Sequence, residues 1–189
     1  FAQPAELAGE AHGDKIARLA RTLGADTCIL TLPDSIAWLL NIRGSDIPRN
    51  PVPHGFALLH ADATVTLFMD ARKLEGLGEH LGAAVTLRDP SEFPEALAAL
   101  RGTVRLDPAS CPVAVRETLI SCEVTEAQDP CLIPKARKNA AELEGIGDER
   151  FGGCLGARDV FEDLGDLPVR DKVRQAVAAQ QETVAGLGG

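Results

Sequence analysis

The chain is short of positive charge. Its 19 Lys and Arg stand against 28 Asp and Glu, a formal net charge of −9. That balance excludes nucleic acid and anionic membrane surfaces as partners, since both are bound through a basic face. Long apolar runs are also missing, and none reaches the length needed to cross a bilayer. The first residues lack the basic-then-apolar pattern of a secretion signal, and Phe1 is not an initiator methionine, as expected of a chain cut from something longer. The five cysteines, Cys28, Cys111, Cys122, Cys131 and Cys154, form no C-x-x-C and no paired metal spacing. An odd number scattered over such a chain points to reduced thiols and a cytoplasmic location.

Catalytic signatures are equally scarce. Tyrosine is absent. Glu79-His80 lacks the second histidine of H-E-x-x-H, no glycine run ends in Gly-Lys-Ser or Gly-Lys-Thr, and no G-x-S-x-G occurs. The four histidines, His12, His54, His60 and His80, fall on separate segments and read as surface or turn residues. His54 keeps some interest because it ends a proline-rich loop. An independent enzyme of another chemistry therefore has no motif to support it.

What is present suits a packed domain with an appendage. Of the 189 residues, 45% are hydrophobic and 25% charged, enough apolar surface for a core and no sign of global disorder. Ile16, Leu19, Ala20 and Leu23 fall at helical spacing, with Lys15, Arg18 and Arg21 on the polar side, so a helix is expected from Gly13 or Asp14 to Leu23. Thr27 to Leu32 reads as a buried strand. Phe56–His60 and Val65–Met69 read as a hairpin turned at Ala61–Thr64. A helix capped by Asp70 is expected over Ala71–Leu81, a strand over Ala84–Leu87, and a helix from Asp89-Pro90-Ser91 to Leu100. Then come a strand at Val104–Leu106, a helix at Val113–Cys122 and a strand at Val124–Ala127. Helices alternating with short apolar strands, one pair forming a hairpin, predict an α/β sandwich with a mixed sheet.

The densest punctuation lies between Thr31 and Pro53, TLPDSIAWLLNIRGSDIPRNPVP, around the single tryptophan. Thr31 and Asp34 have capping-box spacing, Pro33 suits a first turn, and Ile36, Leu39 and Leu40 make an apolar stripe. Asn41 and Gly44 end the helix, and Pro48, Pro51 and Pro53 prevent another. The outcome is a short helix running into a stiff loop that holds Arg43, Asp46, Arg49 and Asn50 near one another. Two readings stand: Trp38 in the core with Arg43 and Asp46 as a local ion pair, or a functional loop.

The string Asp34-Ser-Ile-Ala-Trp38-Leu-Leu-Asn41-Ile-Arg43-Gly44-Ser-Asp46-Ile, with Asn50-Pro51, resembles the second, creatinase-like domain of three-domain Xaa-Pro aminopeptidases. Asp129-Pro-Cys-Leu-Ile-Pro134-Lys135-Ala-Arg-Lys138-Asn139-Ala-Ala-Glu142-Leu-Glu-Gly145 resembles the linker and first helix that lead into that family's catalytic domain. The likeness covers His12 to Gly145. It implies a three-layer α/β/α unit of the creatinase and prolidase amino-terminal type, with a ribonuclease H-like arrangement. It divides the chain into a remnant of an upstream linker (1–12), the creatinase-like domain (13–137) and a helical extension (138–189). Within that extension, helices are expected over Arg158–Leu164 and Val169–Val184.

By the same resemblance Trp38, Asn41, Arg43, Asp46 and His54 become candidates for lining a substrate cleft or an interdomain surface. The implied partners are the catalytic domain of the same parent protein, a second copy in a homodimer, and a peptide substrate in the full-length parent. The two divalent metal ions of that family, such as Mn or Zn, are expected only in the catalytic domain. Residues 146–189 contain no histidine and do not resemble that domain, so no metal ligand and no catalytic residue is assigned here. The alternative is a stand-alone binding or interaction module that keeps the creatinase-like fold and uses its tail for a new partner.

Overall fold

The computed structural model describes residues 1–146; the helices expected over 158–164 and 169–184 lie outside the described residues. Phe1–Asn139 form one compact unit, and a second begins at Ala140. In chain order the elements are α1 (Ala5–Ala8), α2 (His12–Arg21), β1 (Thr27–Leu30), α3 (Pro33–Leu40), β2 (Phe56–His60), β3 (Val65–Phe68), α4 (Gly78–Leu81), β4 (Val85–Arg88), α5 (Phe93–Ala99), β5 (Thr103–Leu106), α6 (Val113–Thr118), β6 (Glu123–Glu126), α7 (Leu132–Ala136) and α8 (Ala140–Ile146). Single 3₁₀ turns cover Ala71–Leu74 and Pro90–Glu92.

The six strands form one sheet in the order β4-β3-β2-β1-β5-β6. Only β2 runs against its neighbours β1 and β3; the β1–β5, β5–β6 and β3–β4 pairs are parallel. Three antiparallel neighbours extended by parallel strands make the expected ribonuclease H-like arrangement. Because strand side chains alternate faces, the inner strands feed two cores. Cys28, Leu30, Ala57, Leu59, Val65 and Leu67 pack beneath α2 and α3 with Ile16, Leu19, Ile36, Leu39 and Leu40. Ile29, Leu58, Phe68, Val104 and Leu106 pack on the other face against Phe93, Ala96 and Leu97 of α5 and Val115 of α6. That is an α/β/α sandwich.

Several local expectations are corrected. Thr31 and Asp34 do not form a capping box: the N-cap is Leu32, without a side-chain cap bond, and Pro33 opens the helix. Thr31 sits one residue early and donates instead to the Ser110 carbonyl at 3.2 Å, while Asp34 pairs with Lys135 of α7. The helix expected over 71–81 is broken, because Gly76 takes φ 77° between the 3₁₀ turn and α4. Its Asp70 cap is present, accepting from the Arg72 backbone N–H at 2.9 Å. The last expected turn of α6 is lost where Leu119 bends into the core. The capping box is found elsewhere, where Asp89 accepts from Ser91 N–H and Glu92 accepts from Asp89 N–H.

Residues 1–12, expected as a linker remnant, pack on the domain. Ala2 bridges to Ile42, Gln3 N–H donates to the Asn41 carbonyl at 2.7 Å, and Ala8 is buried. At the other end of the unit, Asn139 Nδ2 donates to the Ala8 carbonyl at 2.8 Å. Its amide lies against Gly9, where a Cβ would collide with it and where φ is 67°.

Candidate functional site

The Thr31–Pro53 stretch starts at the carboxyl end of β1, the edge at which open α/β sheets bind ligands. Its helix, α3, ends when Asn41 adopts the left-handed conformation, φ 51° and ψ 46°. Asparagine tolerates that region with less strain than other side chains bearing a Cβ. The Asn41 amide then works on both sides. Its Nδ2 donates to the Glu10 carbonyl at 2.8 Å, and its Oδ1 accepts from Lys15 Nζ at 2.6 Å.

Lys15 corrects the sequence reading most directly. It was placed on the polar side of α2, yet it is 1% exposed. Its ammonium donates to the Trp38 carbonyl at 3.0 Å and lies 4.3 Å from the centroid of the Trp38 ring. A buried ammonium is tolerated where hydrogen bonds replace its hydration, and the carboxyl end of a helix and an aromatic face both favour a cation. The missed signal was spacing: Lys15 precedes Leu19 by four residues and therefore borders the apolar stripe. Trp38 and Asn41, at 7% and 3% exposure, thus form an interior node with Lys15 beneath the loop.

Beyond Asn41 the candidates move outward. Arg43 is half-buried, its Nη1 donating to the Ile42 carbonyl at 2.9 Å and its backbone N–H to the Phe1 carbonyl at 2.8 Å. Asp46 does not pair with Arg43. It accepts from Lys73 Nζ at 2.6 Å and from the His54 backbone N–H at 2.7 Å. Those two donors, the lysine first, hold the Asp46 carboxyl below its ordinary value. The loop is drawn together from within by Gly44, since a Cβ there would lie 2.7 Å from Pro53 N and 2.8 Å from Pro53 Cβ.

Beside this strap opens a cleft of about 440 Å³, lined by Thr31, Pro33, His54, Gly55, Phe56, Phe68, Asp70, Lys73 and Pro90. It lies at the carboxyl ends of β1, β3 and β4 and the start of β2. Phe56 stacks on Phe93 with centroids 4.4 Å apart, and Phe68 meets Phe93 at 5.1 Å, which makes the floor rigid and apolar. The rim is ionic. Asp70 is held at about 2, first by the Arg72 guanidinium and then by the Arg72 backbone N–H. Of the five residues proposed from the sequence, Trp38 and Asn41 belong to the node with Lys15, His54 lines the cleft, Asp46 reaches it through Lys73, and Arg43 is anchored at the start of the loop by its bonds to Ile42 and Phe1. Lys73, Phe56 and Phe68 were missed because they are distant in sequence and their own segments read as ordinary helix and strand.

Two further buried carboxylates are committed to structure. Asp107 accepts from the Ala109 and Asp129 backbone N–H groups, and Asp129 from that of Cys131. Burial pushes the Cys28 thiol up to about 12 and the Cys131 thiol well above its ordinary value, so both are protonated and unreactive. Among the described residues, no group of three or more His, Cys, Asp or Glu could hold a metal ion. Nor is any helix among them long and apolar enough to cross a membrane.

Comparison with known proteins gives a consistent result. The family described as Creatinase/Prolidase N-terminal domain matches residues 1–142. A probable Xaa-Pro aminopeptidase P of Leptosphaeria maculans is 36% identical over 163 residues, covering 76% of this chain and 26% of that protein. A probable Xaa-Pro aminopeptidase P of Laccaria bicolor is 33% identical over 151 residues, covering 75% and 23%. The crystal structure of X-prolyl aminopeptidase from Caenorhabditis elegans, described as a cytosolic enzyme with a di-nuclear active site, superposes with a TM-score of 0.68. It is 25% identical over 77% of this chain and 26% of its own. The chain spans about a quarter of the length of the curated relatives it matches.

Proposed function

The chain belongs to the creatinase/prolidase N-terminal domain family, and from that membership we propose that it is the non-catalytic middle domain of a Xaa-Pro aminopeptidase-like metallopeptidase. The observation that carries this reading is the disparity of coverage: three quarters of this chain corresponds to about one quarter of each relative. On this reading the remaining length of the parent supplies the two-metal site, and this domain supplies shape. The aromatic floor at Phe56 and Phe68, with the His54, Asp46 and Lys73 rim, forms one wall of the peptide cleft or of the contact with the catalytic domain. Lys15, Trp38 and Asn41 hold the loop that carries that rim.

Cytoplasmic residence of the parent belongs to the same proposal, supported by the cytosolic relative from the worm; homodimerisation of the parent is proposed with it from the family resemblance. Sedimentation of the parent tests the dimer. The decisive experiment is kinetic. In the full-length parent, His54→Ala, Lys73→Ala and Arg43→Ala raise KM or lower kcat for a Xaa-Pro peptide while leaving the melting temperature near wild type. The isolated 189-residue chain turns over no such peptide, with or without Mn²⁺ or Zn²⁺, because two-metal hydrolysis needs a ligand set that its described residues lack. Chelator-sensitive turnover by the isolated chain, or parent kinetics indifferent to all three substitutions, would overturn the proposal.

A further inference from the structure

Two histidines that the sequence places on separate segments meet in the fold. His12 opens α2 and His80 lies in α4, with ring centroids 4.6 Å apart and planes inclined by 40°. His12 Nε2 faces the Leu81 carbonyl at 3.4 Å, and His80 Nε2 faces the Leu40 carbonyl, the last of α3, at 2.9 Å. A carbonyl can only accept, so the neutral rings carry their protons on Nε2, and acid adds the second proton at Nδ1. The groups whose charge bears on His12 are His80 from α4 and Lys15 from α2 itself, both positive when protonated. From α3 the pair receives the Leu40 carbonyl.

The element held by this pair is weakly supported by itself. Helix α4 has four residues, and Gly76 and Gly82 beside it have φ of 77° and 64°. Leu77 and Leu81 anchor it apolarly, and His80 ties it to the end of α3.

We propose that the His12–His80 pair is an acid-sensitive latch, in which protonation of both rings parts α4 from the first turn of α2. With both rings charged, two imidazolium cations stand in contact beside the buried Lys15 ammonium, and their mutual repulsion is relieved by moving α4 outward. Burial, followed by the charge of His80, keeps His12 below its ordinary value of 6.5 in the folded protein. The folded form therefore binds fewer protons than the unfolded one, and stability is lost as pH falls through and below that value.

Amide hydrogen exchange on the 189-residue chain at pH 7.5 and 5.5, corrected for intrinsic rates, tests the latch. At the lower pH the Leu81 and Gly82 amides lose protection by roughly tenfold or more, while those of Cys28, Ile29 and Leu30 in β1 keep theirs. Both His12→Gln and His80→Gln abolish this selective loss. Should His12→Gln fail to fold, His80→Gln decides alone, since glutamine keeps an N–H for the Leu40 carbonyl and does not titrate. Protection in α4 that is unchanged by acid, an equal loss in α4 and β1, or a wild-type acid response in His80→Gln would each overturn the proposal.

Discussion

Replacing Lys15 with methionine tests the account of the loop at its root. Methionine fills nearly the same volume, so no cavity term enters; what is lost is the ammonium. Two buried acceptors, the Trp38 carbonyl and Asn41 Oδ1, lose a donor now at 3.0 and 2.6 Å, each at a cost of about 1–3 kcal/mol. The contact with the Trp38 ring, 4.3 Å from its centroid, contributes about 2 kcal/mol more when desolvated. Against this gross loss of about 4–8 kcal/mol stands the relief of no longer burying a charge, several kcal/mol. The net expectation is a destabilisation of about 3 kcal/mol, and with a urea m-value of about 2 kcal/mol/M the midpoint falls by about 1.5 M. The fluorescence of Trp38, the single tryptophan, reports the transition from the node itself. Asn41→Gly, which suits the left-handed backbone, removes one of the stranded acceptors, so in the Lys15→Met background its effect should differ from its effect alone by about 1 kcal/mol or more. A midpoint shift below about 0.5 M, or strict additivity of the two substitutions, would refute the reasoning.

Trp38→Ala should cost about 3–5 kcal/mol, as truncation of a core aromatic does, followed by circular dichroism; a loss under about 1 kcal/mol would place the ring outside the core. Gly44→Ala sets a Cβ against the Pro53 backbone and should cost about 1–3 kcal/mol by overpacking; a neutral thermal melt would mean that the loop yields. Asp70, held at about 2, contributes stability that is complete above its ordinary value of 3.8 and is lost as pH falls toward 2. Asp70→Asn should flatten that part of the pH profile, and an unchanged acid slope would count against the Arg72 pair.

The fold was legible wherever a local pattern had one physical solution. The near-continuous apolar runs Phe56–Leu59 and Val65–Phe68 suit strands with two covered faces, and the stripe Ile16, Leu19, Ala20 suits α2. Asn41 was recognised as a helix end because few side chains accept its backbone angles. The failures share another cause. Thr31 and Asp34 had the right spacing for a local cap, yet Ser110 and Lys135, from distant segments, took their hydrogen-bonding groups. Lys15 looked solvated because lysine usually is, and only the carbonyl and amide waiting at the end of α3 made its burial tolerable. His12 and His80 could not be paired, nor Lys73 matched to Asp46, because nothing in a linear sequence records which segments the sheet order brings together.

The clasp between Asn139 and the Ala8–Gly9 turn has a mechanical consequence. Tension applied to the chain at these two positions enters and leaves the domain through the same corner. Such a pull draws first on the clasp, across a separation of a single hydrogen bond, and reaches the six strands only after the clasp has parted.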